Sequence, residues 1–140
     1  MISTALTLTP GFEATRLFLH VMAAAIWVGG QFVMLGLVPT ARTIGPEAPK
    51  KLARAFSRLS WPAFAVLVLT GFWNLGALHG QDASTAWNMV MGVKFLLVIL
   101  AGLGAWLHGR ATTPQAMGMW GSIAGISSIL ALLGGVLLAG

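Results

Sequence analysis

His20 and Lys94 are the two residues whose types and surroundings point to chemistry where polar groups are scarce. His20 lies in the run Leu17-Phe18-Leu19-His20-Val21-Met22-Ala23-Ala24-Ala25-Ile26-Trp27-Val28-Gly29-Gly30, and Lys94 lies in an equally apolar run. An ionisable side chain in hydrocarbon is costly unless it finds a partner, which makes each a functional candidate. Neutral imidazole is the commonest metal ligand and can also bind haem iron. A lysine ammonium can pair with an anionic cofactor group such as a haem propionate. Structural roles compete with these. His20 can hydrogen-bond Thr70, Asn74 or a backbone carbonyl, and Lys94 can snorkel its ammonium to the outer interface.

Other chemistries are thinly supplied. The chain has no cysteine and three acids, Glu13, Glu47 and Asp82, all outside or at the edges of the apolar runs. No carboxylate pair can therefore do acid–base work inside them. There is no HExxH, phosphate loop or nucleophile elbow, so any catalysis needs a cofactor. Proton-coupled transport would have only His20 and Lys94 to use. The seven methionines could serve copper(I), which favours thioethers. Met22, Met89 and Met91 lie at the level of His20, but Met89 and Met91 are two residues apart and cannot both face one point on a helix.

The elements that must position these residues are set by composition. Of 140 residues, 57% are hydrophobic and 8% charged, with a mean hydropathy of +0.87. Soluble domains carry about 25% charged residues, so a single membrane domain is expected. Four windows are long enough to span as helices: 16–38, 61–78, 88–108 and 117–139. Short connections favour antiparallel neighbours, and the expected fold is an all-α, integral membrane, four-helix up-down bundle. Residues 1–9 lack the basic start and cleavage motif of a signal peptide, so the first span is expected to be retained.

The first loop carries Arg42, Lys50, Lys51, Arg54 and Arg58 against Glu47, the second carries only Asp82, and the third carries Arg110. The positive-inside rule then places loops one and three in the cytoplasm and both termini outside. The same distribution reads the basic excess as topology and anionic lipid, with no nucleic-acid partner. Within 42–58, Ala48, Leu52, Ala55, Phe56 and Leu59 recur at helical spacing, which suggests an amphipathic helix on the inner leaflet. Ser60 before Trp61-Pro62 reads as the N-cap of the second span. Ala25-x-x-x-Gly29 with Gly30, and Gly121-x-x-x-Gly125 with Ser128 and Gly135, mark close helix contacts within the bundle or in a homo-oligomer.

Depth follows from this orientation. At 1.5 Å per residue, His20 and Lys94 both fall roughly 6 to 10 Å below the outer surface, with His79 and Asp82 just above. His108 ends the third span at the cytoplasmic face. His20, Ala24, Trp27 and Gln31 form one stripe, Trp87, Met91 and Lys94 share a face, and Thr70 and Asn74 are one turn apart. Turned inward, these faces build an outer-leaflet pocket from His20, Lys94, Trp27, Gln31 and Asn74. A metal there would draw on His20, Met22, His79 and Met91.

The first-span segment Leu19-His20-Val21-Met22-Ala23-Ala24-Ala25-Ile26-Trp27-Val28-Gly29-Gly30 resembles the "LHxxAAAxWxGG" helix of CopD-like copper resistance proteins. Arg54-Ala55-Phe56-Ser57-Arg58-Leu59, Val68-Leu69-Thr70-Gly71 and Val93-Lys94-Phe95-Leu96-Leu97 are similar to further segments of that family, in the same order. The resemblance implies an inner-membrane, multi-pass protein that handles copper, with a periplasmic or extracellular copper carrier as partner. This chain departs from many members in having four spans and no Met/His-rich outer segment. The His20 helix and Lys94 also resemble, more distantly, the HemJ-type protoporphyrinogen oxidases. That likeness implies haem b, with His20 as ligand and Lys94 as substrate or propionate contact. Val28-Gly29-Gly30 stands where that family typically has Met-Ala-Gly. Copper, haem b, and a structural subunit with no cofactor are the three expectations.

Overall fold

The computed structural model describes residues 6–140, all of them in helices or short connections. Residues 1–5, with part of the segment considered for a signal peptide, lie outside the described residues. Four helices are long and apolar enough to cross a membrane: α1 Gly11–Ile44, α2 Ala48–Gly76, α3 Thr85–Arg110 and α4 Pro114–Ala139. The chain is a multi-pass membrane protein. Large apolar side chains such as Phe18, Val21, Leu35, Leu69, Met89, Ile99 and Val136 cover the outward faces, as expected where lipid replaces water as the solvent.

Each helix begins before its expected window, while α2 ends two residues short of it, at Gly76; polar residues cap two of the starts. Ser84 caps α3 by accepting the Trp87 N–H at 3.1 Å, and Thr113 caps α4 by accepting the Ala116 N–H at 3.2 Å, each satisfying an amide that the first turn leaves unpaired. The basic segment 42–58 is not a separate surface helix. Arg42 lies in the last turn of α1, and Ala48 to Arg58 form the first turns of α2, which continues unbroken through Trp61 and Pro62. Ser60 is consequently a buried mid-helix residue and caps nothing.

Helix α1 packs on α2 and α3 packs on α4. In the first pair Phe12 meets Trp73, His20 meets Thr70, Trp27 meets Trp61 and Gly30 lies under Phe56. Rising numbers on one helix meet falling numbers on the other, so the two run in opposite directions. The second pair behaves likewise: Lys94 lies on Gly134 and Gly135, Gly104 on Ala124, and His108 on Gly121. The tightest approach is at Gly104, where an added Cβ would stand 2.9 Å from the Ala124 backbone nitrogen.

Helix α1 is interrupted at Ala25–Gly29 by a π-helical segment. Such bulges admit extra residues to a turn and are frequent at functional sites. Here the segment presents Trp27 to Trp61 and Phe64 of α2, with ring centroids 5.6 and 4.4 Å away. The Trp27 indole N–H is donated to Ser128 Oγ of α4 at 3.0 Å, joining the two helix pairs across the core.

Candidate functional site

Toward the start of α1 and the end of α2, the seam between them carries a part-buried polar cluster. His20 Nδ1 stands 2.8 Å from Thr70 Oγ1, and Thr70 Oγ1 lies 2.6 Å from the Val66 carbonyl and 3.2 Å from that of Leu67. A threonine hydroxyl has one proton, and here it is donated to the carbonyls of the preceding turn. Its remaining capacity is as an acceptor, so the hydrogen between His20 and Thr70 belongs to Nδ1. Nε2 is left without a hydrogen-bond partner among the described residues. In the neutral ring it carries the lone pair, oriented by a bond of the kind that fixes metal-ligating histidines.

One turn nearer the start of α1 and the end of α2, that register places Arg16 opposite Asn74. Arg16 is 8% exposed, and its Nε and the Asn74 Oδ1 are buried without a hydrogen-bond partner among the described residues. A buried guanidinium with no counter-charge is strongly unfavourable by itself. Glu13 and Asp82 are exposed, and the one ion pair among the described residues is Lys50–Glu47 at the other end of the chain's first hairpin. By sequence Arg16 is only the first residue of the expected span 16–38; its signal is its position four residues before His20, on the same face.

Lys94 comes from the second pair. Its stem lies along α4, with Cβ 3.5 Å from where a Gly134 side chain would begin and Nζ 3.2 Å from the same point at Gly135. These two glycines make room for a lysine, a role that a small-residue pattern does not distinguish from helix packing. Among the described residues the Lys94 ammonium has no ion-pair partner. Lys94 also borders a groove of about 400 Å³ between α3 and α4, lined by Val90, Val93, Leu130 and Leu137.

The other candidates divide. Trp27 and Gln31 face α4, where Gln31 Nε2 reaches Ser128 Oγ at 3.2 Å and the Trp27 carbonyl at 3.0 Å. Ser128 Oγ donates to Ala124 O at 2.7 Å, so one hydroxyl accepts two donors and gives its own proton. Gln31 is thereby spoken for as a core tether. Met22 is 46% exposed and two residues from His20, hence on another face. His79 is exposed in the connection after α2, and Met91 is half-buried on α3. Among the described residues no three His, Cys, Asp or Glu side chains gather as a metal site. His108 donates Nδ1–H to the Met117 carbonyl at 2.8 Å, closing the α3–α4 connection.

His20 offers a single nitrogen ligand at Nε2, and the cations Arg16 and Lys94, neither paired with a carboxylate among the described residues, can each attract an acidic group. No family model, curated protein or solved structure matches the chain.

Proposed function

We propose that this protein binds haem b in the outer half of its helices, with His20 as the iron ligand and Lys94 as partner to an acidic edge of the group. The observation that carries this reading is the Thr70 bond to His20 Nδ1, which turns Nε2 away as a free ligand atom. The donor set suits the group: one imidazole for iron and a cation for a propionate. Copper(I) would need several soft donors, and Met22 and His79 lie away from His20. The resemblance to CopD-like and HemJ-type helices, resting on the residues around His20 and Lys94, supports a cofactor role at this place.

In this reading the chain is an up-down bundle in the cell membrane, with both termini and the pocket on the outer side, as the basic residues of the first connection favour. Haem, when bound, supplies one-electron chemistry. The residues' own contributions are separate. Thr70 holds the ring of His20 and its tautomer, and Lys94 offers a positive charge to an acid. The test is the visible spectrum and metal content of the purified protein. A Soret band present in the native chain and absent in His20→Ala supports the proposal. A colourless protein with stoichiometric copper replaces it with copper handling, and neither cofactor leaves a structural role.

A further inference from the structure

We infer that Arg16 and Asn74 form an oxyanion site at the outer end of the α1–α2 seam, taking a carboxylate or phosphate that enters from the outer side. An arginine near the end of a span ordinarily extends its head to water. Arg16 is instead 92% buried (8% exposed), with Nε unpartnered among the described residues. A guanidinium stays charged and presents a planar fork of donors that matches the two oxygens of a carboxylate or phosphate. Asn74 faces it from α2 with its own buried unpartnered oxygen. Turning that amide over puts Nδ2 in the same position, since the two ends are nearly equal in shape, and supplies a second donor. No acid of this chain fills the place: Glu13 and Asp82 are exposed.

The way in is from the outer edge. Phe12, one turn before Arg16 on α1, meets Trp73, the neighbour of Asn74 on α2, edge to face at 5.2 Å, and the two residues are 71% and 38% exposed, so the rim is not a sealed core. The site is distinct from His20 Nε2, and its occupancy does not require haem. Two sources supply the chemistry: an acid group on a bound ligand, or a phospholipid headgroup of the outer leaflet.

The experiment uses the haem-free full chain in dodecyl maltoside and follows its thermal unfolding midpoint against sodium dodecanoate, dodecyl phosphate and dodecyltrimethylammonium. Saturable stabilisation by the two anions and none by the cation is expected. Arg16→Gln should weaken it about ten-fold or more, Arg16→Lys should fall between because the charge remains without the fork, and the distant exposed Arg58→Gln should change nothing. Native mass spectrometry of protein taken from phosphatidylcholine–phosphatidylglycerol vesicles separates the sources. Phosphatidylglycerol retained by the native chain and lost in Arg16→Gln assigns a headgroup, whereas no retained lipid with dodecanoate as the tighter probe assigns a ligand carboxylate. Equal binding of both probes by native chain and Arg16→Gln overturns the inference, as does the absence of any saturable shift. Should Arg16→Gln fail to fold, Arg16→Lys and Asn74→Leu carry the comparison. A missing Soret band would sink the haem proposal and leave this result untouched.

Discussion

Trp27 and Ser128, separated by 101 positions in the chain, meet through an indole N–H···Oγ bond of 3.0 Å that ties the first helix pair to the second. The same hydroxyl takes the Gln31 amide and gives its proton to Ala124 O. Replacing Ser128 with alanine strands the buried Trp27 N–H and leaves the half-buried Gln31 amide only its bond to the Trp27 carbonyl. The expected loss is about 1–3 kcal/mol of stability, read by thermal unfolding in detergent. Ser128→Thr, which keeps the hydroxyl, should recover most of it. A Ser128→Ala protein as stable as the native chain would show that the tether contributes nothing.

Thr70→Val removes the acceptor for His20 Nδ1–H while keeping the side chain's shape. If His20 is an iron ligand, affinity should fall about 10- to 100-fold, the usual effect of losing such an orienting bond, and Thr70→Ser should restore it. Titration of the apoprotein with haem b measures this directly. Identical affinities in Thr70→Val and the native chain would show that the imidazole needs no orientation from Thr70.

Glycines in this chain are not equivalent. Gly104→Ala places a methyl group 2.9 Å from the Ala124 backbone nitrogen, so α3 and α4 must separate, at about 1–3 kcal/mol. Gly36→Ala meets nothing within 4 Å and should be neutral or gain up to about 1 kcal/mol from helix propensity. Unfolding midpoints of the two variants should move in opposite directions or differ by that sum.

The chain contains no cysteine, so single introduced thiols report topology cleanly. Ala83→Cys, between α2 and α3, should react with a membrane-impermeant maleimide in intact cells. Pro46→Cys and Thr112→Cys should react only after permeabilisation. The reverse pattern would turn the bundle over and put His20 on the cytoplasmic side.

Much of this was legible in the sequence because hydrocarbon imposes simple rules. Four long apolar runs become four helices, and an imidazole in one of them must find a partner; Thr70, at the right level of the next span, was among those expected. Boundaries were less legible. Ser60 before Trp61-Pro62 has the look of a cap, yet proline fits here inside a helix that lipid and neighbouring helices oblige to continue. The π segment has no local sequence signature, so Gln31 was placed on the His20 stripe although it bonds α4. Arg16 was missed for a different reason: a basic residue at a span's edge ordinarily serves as an interfacial anchor, and only packing reveals that this one is enclosed. Lys94 was located, but the Gly134–Gly135 cradle that receives it depends on the register between two helices.

The π segment at Ala25–Gly29 lets one short stretch of α1 face two neighbours. Before it the helix meets α2 through His20 and Thr70, and after it Gly30 still lies on Phe56 of α2. Trp27 and Gln31 meanwhile reach Ser128 of α4. One widened turn is thereby the place where the two helix pairs are pinned together.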